Sequence, residues 1–312
     1  MKNIILTTLN ARYSHTSLGL RYLIANLKEL KEETEILEFV INSSIQTIAE
    51  QILEKKPKII GIATYIWNAF DVGELVKIIK KVSPETMVVL GGPEVSYTPL
   101  RVNFDMADYI ICGEGEVSFY NLCRELLDGT CQQPRTISSP KVDLENIVLP
   151  YDDYTDFDIK NRHIYVENAR GCPFECEFCL SSIETRMRYL DINIFLDEIE
   201  KLWVRGARNF KFIDRTFNIK ISYAKAILNY FLAKEEEYFL HFEVIPDNFP
   251  EELRDLIKQF KKGCLQLEVG IQTLNLDVAK EIRRNLKLDK IKDNLKFLSQ
   301  ETHAHMHIDL II

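Results

Sequence analysis

The sequence predicts an α/β protein of two successive parallel-sheet domains: a flavodoxin- or Rossmann-like doubly wound domain, then a partial (β/α)6 barrel of the TIM type. Three observations carry this expectation. Over roughly the first 130 residues, apolar runs of strand length alternate with segments of helical apolar spacing, the pattern of a parallel sheet with helices on both faces. The alternation lapses over 131–162, which holds Pro134, Pro140 and Pro150 and several Asp. It then resumes, with longer spacing, over 163–312. The expected division is therefore 1–130, a linker with room for a small hairpin at 131–162, and 163–312. A length of 312 residues suits two such domains.

The run NIILTTLN at 3–10 reads as the first strand. Leu20, Leu23, Ile24, Leu27 and Leu30 recur at helical spacing, which predicts a helix over 17–30 with Ser17 as its N-cap. Further strands are expected at 34–40, 59–65, 87–92 and 108–115. Helices are expected at 45–56, closed by Pro57, at 68–82, and at 116–127, ending near Gly129. In the second domain, strands are expected at 163–169, 210–216, 240–246, 265–271 and 305–311. The intervening helices fall at 194–204, 223–233, 251–260, 277–282 and 289–299. Ligands of such sheets bind at the carboxyl ends of the strands. The chain closes on the apolar run HIDLII without a cap or closing helix, so a fragment lacking at least one further βα unit is expected.

Lys and Arg number 39 against 47 Asp and Glu, a net charge of −8, with no basic tail or block. This argues against a dedicated nucleic-acid binder. No apolar run reaches about 18 residues, so no membrane span is expected. The start MKNIILTTLNARY reads as a strand and not as a signal peptide. Of 7 Cys, three cluster. Cys112, Cys123, Cys131 and Cys264 are scattered and suit ordinary buried positions. This usage fits the reducing cytoplasm.

The clustered cysteines, Cys172, Cys176 and Cys179, stand in GCPFECEFC as Cys-x3-Cys-x2-Cys. Three thiolates at this spacing can hold three irons of a [4Fe–4S] cube and leave the fourth without a protein ligand, the open coordination that a catalytic centre needs. The run follows the first strand of the second domain, which places it in the first βα loop at the C-terminal face of the barrel, where such folds put chemistry. Gly171 lets the backbone turn, and Pro173, Phe174 and Phe178 stiffen and shield the loop. The competing reading is structural zinc. That would want a fourth ligand, and the nearest His, His163, lies on the preceding strand.

On this run, 163–312 resembles the radical S-adenosylmethionine (SAM) superfamily, including the aromatic residue, here Phe178, before the last Cys. The resemblance implies that the three Cys bind [4Fe–4S] and that the amino and carboxylate groups of SAM chelate the unique iron. It also implies SAM-site roles for Phe178, for Asp214 in FIDRTFN with Arg215 and Asn218 as neighbours, and for Glu243 in HFEVIPD. LEVGIQT is similar to the family's E-x-G-x-Q-[ST] pattern, which adds Glu268, Gln272 and Thr273. Arg283 or Arg284 resembles a following Arg used near SAM, with Arg283 the first choice.

The segments VVLGGPEVSYTP and ADYIICGEGEVSFYNL resemble the cobalamin-binding domain that precedes many radical SAM domains. By that resemblance Gly91 and Gly92 admit the nucleotide tail between strand and helix. Gly113, Glu114 and Gly115 then lie at the next strand end, and Thr64 and Tyr65, with Ile66 and Trp67, line the same cleft. The Asp-x-His-x-x-Gly signature is absent and His15 lacks that frame, so cobalt without a protein His ligand is expected. His303, His305 and His307 alternate on a strand and read as barrel or rim residues. Together the resemblances imply a cobalamin-dependent radical SAM enzyme that transfers a methyl group to an unreactive carbon. A radical SAM cyclase or rearrangement enzyme and a non-catalytic cofactor-binding fragment are the alternatives. A small-molecule or peptide substrate and an electron donor such as flavodoxin or ferredoxin are the implied partners.

Overall fold

A computed structural model of the chain describes residues 2–311, which divide after Arg162 into two compact units. The first contains β1 (Ile4–Asn10), α1 (Leu18–Ala25), β2 (Thr34–Val40), α2 (Ile45–Leu53), β3 (Ile59–Ala63), α3 (Ala69–Val82), β4 (Met87–Gly91), α4 (Pro93–Ser96), β5 (Tyr109–Cys112), α5 (Glu116–Asp128), β6 (Thr136–Ser138) and α6 (Asp156–Asn161). Its six strands form a parallel sheet in the order β2-β1-β3-β4-β5-β6.

Every residue of β1 is buried, because helices cover both faces of the sheet. Ile5 and Leu9 pack with Ile48, Ile52, Leu75 and Ile79 of α2 and α3. Ile4 and Leu6 pack with Leu20 and Ile24 of α1 and Phe119 of α5. Ser17 caps α1 as expected, its hydroxyl accepting from the Leu20 amide at 3.4 Å. The helix stops at Ala25, short of the expected Leu30: Lys28 turns to φ 50°, and Lys28–Glu33 is a 3-10 turn.

Residues 131–162, expected as a linker, are instead built into this first unit. β6 extends the sheet as a parallel edge strand, not as a hairpin. Tyr151 and Tyr154 are buried, and the Arg21 guanidinium lies 4.5 Å above the Tyr154 ring. Arg21 also pairs at 2.9 Å with both Glu38 and Asp158, and Arg162 reaches Glu38 at 3.2 Å. A capping box of Thr155 and Asp158 starts α6. A buried cation left with fewer partners would be costly, so these charges fasten the segment in place.

The second unit contains β7 (Ile164–Val166), β8 (Ala169–Arg170), β9 (Arg188–Tyr189), α7 (Ile192–Val204), β10 (Asn209–Phe212), α8 (Ile221–Leu232), β11 (Phe239–Val244), α9 (Glu251–Ile257), β12 (Leu265–Gln272), α10 (Leu276–Glu281), α11 (Leu288–Glu301) and β13 (His305–Leu310). Five strands form a parallel sheet in the order β13-β12-β11-β10-β7, and β8 pairs antiparallel with β9. Leu265, Leu267, Val269 and Ile271 of β12 are buried in strict alternation, and Phe195, Phe212, Phe231 and Phe242 form an aromatic core on the helix side. The alternate residues, among them Gln266, Glu268, Gly270 and Gln272, face the opposite way. That polar face leads to the site.

Candidate functional site

The cysteine loop is an excursion between β8 and β9, whose pairing closes its base. Gly171 takes φ 95°, and a Cβ there would run into the Arg186 carbonyl oxygen, so only glycine fits this entry to the loop. The Cys172 amide donates to the Glu184 carbonyl at 2.9 Å, and the Cys179 amide to the Cys176 carbonyl at 3.0 Å. The Ser182 hydroxyl adds a bond to the Cys179 carbonyl at 2.7 Å. All three thiols are free, Cys172 and Cys176 buried and Cys179 half-buried. Burial pushes the Cys172 thiol above its ordinary pKa, an effect that the amide of Phe174 opposes.

The three thiols line one cavity of about 140 Å³ with Phe178, Arg215, Thr216, Glu243, Glu268, Gln272, Arg284 and Asp309. The loop supplies its sulfurs, and the carboxyl ends of β11, β12 and β13 supply its carboxylates. Glu268 bonds His241 Nε2 at 2.9 Å, and Glu243 lies 3.4 Å from Arg215. Burial raises the Glu243 carboxyl, against the pull of Arg215. Asp309 is raised by burial and then by the charge of Glu268. Gln272 takes φ 73° at an irregularity in the β12–β13 register, which turns its side chain back past Gly270.

Phe178, Glu243, Glu268 and Gln272 therefore stand where the sequence pattern put them, on the wall beside the thiols. Arg283, Asp214, Asn218 and Thr273 do not line the cavity, and the Thr273 hydroxyl instead accepts the Asn275 amide at 3.2 Å. Arg283 takes φ 54° and turns outward to pair with Glu177 at 2.7 Å; Arg284 enters the cavity instead, 3.5 Å from Cys176 Sγ. Asp214 is buried off the cavity wall. Its carboxylate accepts the Asn168 amide at 3.1 and 3.2 Å, and Asn168 in turn holds the Leu190 amide at 2.9 Å, just past β9. Asp214 thus supports the base of the loop, and burial pushes its pKa up to about 7. Asn218 bonds the Ile245 and Asn248 carbonyls and ties two loops together. His305 and His307 lie on the polar face of β13, rings 5.2 Å apart. Sequence reasoning missed Thr216 and Asp309. Asp309 continues the period-two row of His305 and His307, a signal that was available. Nothing in the sequence marks Thr216, whose buried hydroxyl has no partner among the described residues.

The first unit carries a slot of about 160 Å³ at the carboxyl ends of its strands. Its lining includes Leu20 and Leu23 of α1, Phe119 of α5, and Gly61, Gly91, Gly92, Gly113, Glu114 and Gly115, with Tyr65. Gly92 takes φ 103°, and a Cβ there would stand 2.5 Å from the Thr64 carbonyl oxygen. At Gly91 a Cβ would meet only the Ile111 carbonyl, at 3.8 Å, so a side chain there would project into the slot. Tyr65 stacks on Trp67 with centroids 4.5 Å apart. Thr64, expected in the lining, is buried outside it, and its hydroxyl has no partner among the described residues. Glu114 is fastened outside by the Val142 amide at 2.6 Å. Gly19, Gly61 and Phe119 were not anticipated, because their approach to the slot is tertiary.

Both sites suit the groups their sequences imply. In the second unit, three free thiols line one cavity, a donor set that suits a cube with iron at separate corners. The Thr216 hydroxyl, without a partner among the described residues, lies with the carboxylates of Glu243, Glu268 and Asp309 in the same lining. In the first unit, a slot lined by apolar residues and glycines leaves room that side chains would otherwise fill. No described helix is long and apolar enough to cross a membrane.

Residues 4–123 match the B12 binding domain family and residues 167–311 the Radical SAM superfamily. The chain is 25% identical, over 90% of its length and 66% of the relative's, to the uncharacterized methyltransferase PH0819 of Pyrococcus horikoshii. It is 25% identical, over 86% of its length and 44% of the relative's, to the cobalamin-dependent radical SAM methyltransferase TokK of Streptomyces tokunonensis. The chain thus spans between 44% and 66% of these curated relatives. The structure of the radical SAM methyltransferase TsrM from Kitasatospora setae, solved with cobalamin and a [4Fe–4S] cluster bound, superposes with a TM-score of 0.74 at 17% identity. That match covers 99% of this chain and 69% of TsrM, and shows a shared fold.

Proposed function

We propose, for a chain that joins a B12-binding domain to a radical SAM domain, cobalamin-dependent methyl transfer to an unreactive carbon of a small-molecule or peptide substrate. The observation that carries this reading is the placement of Cys172, Cys176 and Cys179 on the wall of one cavity with Glu243, Glu268 and Gln272. When bound, a [4Fe–4S] cluster supplies an electron for reductive cleavage of SAM, and cobalamin supplies the methyl carrier.

The chain's own residues provide the holding and orientation. Cys172, Cys176 and Cys179 take three irons and offer the fourth no protein ligand. Glu243 and Glu268 suit an ammonium and ribose hydroxyls, and Gln272 both donates and accepts. Phe174 and the exposed Phe178 supply apolar wall beside the thiols. Asp214 supports the loop base through Asn168. Gly91 and Gly92 keep the first-unit slot open for the cobalamin tail, with Gly113, Glu114, Gly115 and Tyr65 around it, and Thr64 sits behind Gly92. The electron comes from a donor of the flavodoxin or ferredoxin class in the cytoplasm.

The test is reductive cleavage of SAM. Anaerobically reconstituted protein, reduced with dithionite, should yield 5′-deoxyadenosine and methionine, and Cys176→Ala should yield neither. A wild-type chain that retains zinc and takes up no iron would defeat the reading.

A further inference from the structure

The turn that closes α10 grips the cysteine loop at consecutive residues. The Glu177 amide donates to the Ile282 carbonyl at 3.2 Å, and Arg283 pairs with the Glu177 carboxylate at 2.7 Å. Arg284 points its Nη1 at Cys176 Sγ at 3.5 Å. Its position is fixed from the other side as well: Nη2 donates to the Gly270 carbonyl on β12, and its own amide donates to the Ala279 carbonyl at 2.8 Å. A guanidinium is a permanent cation whose planar fork holds two acceptors in fixed directions. Here the two acceptors are a strand carbonyl and a cysteine sulfur.

We propose that Arg284 sets the reduction potential of the [4Fe–4S] site through its N–H···S contact with Cys176. The proposal rests on the reading that Cys172, Cys176 and Cys179 hold that cluster. One-electron reduction adds one negative charge to the site, from the 2+ to the 1+ state, with no bond made or broken. A fixed cation and N–H donor on a ligand sulfur stabilise the added charge and so raise the potential; hydrogen bonds to the sulfurs and net charge are the levers by which proteins tune such clusters. Arg284 is a positioning residue in this sense. It acts on the metal through Cys176. Arg283, adjacent but turned out to the exposed Glu177, where a surface ion pair contributes little to holding the loop, makes the matched control.

The test is a dithionite redox titration followed by EPR, without SAM, so that any contact of Arg284 with that cofactor does not enter. Iron and sulfide content are measured on each protein first. Arg284→Gln should make the cluster harder to reduce by at least tenfold, a downward shift of about 59 mV for one electron. Arg284→Lys should fall between Arg284→Gln and wild type, because it keeps charge without the fork. Arg283→Gln should match wild type. Wild-type potentials in loaded Arg284 variants, or an equal shift in Arg283→Gln, would overturn the proposal. Loss of the cluster from both Arg284 variants would overturn it too, by making Arg284 a scaffold of the loop. A wild-type chain that assembles no cluster would sink the underlying reading instead.

Discussion

Both units end their parallel strands at a cavity, yet the walls are of opposite character. The first-unit slot is built from glycines and apolar helix residues, Leu20, Leu23 and Phe119. The second-unit cavity is built from thiols, carboxylates and two arginines. The first makes room by omitting side chains, and at Gly92 a Cβ would stand 2.5 Å from the Thr64 carbonyl oxygen. The second places charged groups and holds them through partners: Glu268 on His241, Arg284 on Gly270, and the cysteine loop on Asn168 and Asp214. The lesson is that a shared strand-end address fixes where a ligand sits, while side-chain volume in one case and polar support in the other decide what it is.

The largest expected effect on cofactor loading separates the two sites. Gly171→Ala puts a methyl against the Arg186 carbonyl and forces a left-handed φ on alanine, at about 1–3 kcal/mol. The cysteine loop should lose its shape. Iron bound after anaerobic reconstitution should fall to near background, while cobalamin binding by the first unit stays at wild-type affinity. Full iron content in this variant would show that the loop reshapes without Gly171.

The second effect is carried by Asp214. Burial raises its pKa from 3.8 to about 7, so the folded second unit keeps a proton that the unfolded chain has released. That stability is fully present below about pH 4 and is lost as the pH rises through about 7, up to about 4 kcal/mol at 1.36 kcal/mol per unit. Urea unfolding of the apoprotein, followed by Trp203 fluorescence in a Trp67→Phe background, should decline in stability across this window. Asp214→Asn should flatten the decline. A wild-type profile already flat would mean that Asp214 is ionised in the fold.

The smallest effect tests the slot. Gly91→Val directs its side chain into open space, where only the Ile111 carbonyl is near. Titration with hydroxocobalamin should show at least tenfold weaker binding, about 1.4 kcal/mol, with iron uptake unchanged. Undiminished affinity would place the ligand elsewhere.

What was legible in the sequence was mostly local. The strand–helix alternation and the Cys-x3-Cys-x2-Cys spacing are carried by neighbouring residues, and Ser17 marks its own helix start. The residues that escaped depend on how distant segments meet. Arg283 and Arg284 are interchangeable as text; the left-handed φ at Arg283 decides that Arg284 enters the cavity. Asp214 sits at the expected strand end, but the Asn168 amide draws its carboxylate away from the cavity. Residues 131–162 have the composition of a linker. Their order comes from Arg21 and Glu38, more than a hundred positions earlier, which bind Asp158 and Arg162. Phe119 reaches the slot only because α5 crosses above Gly61, whose missing Cβ lets the ring approach.

On the proposed reading, one chain holds two cofactors at two unlike sites. The direct measurement is metal content after anaerobic incubation with iron, sulfide and hydroxocobalamin, followed by gel filtration. About four irons and one cobalt per chain are expected, with Cys176→Ala losing the iron and keeping the cobalt. Zinc in place of iron, or cobalt that elutes with free cobalamin, would contradict it.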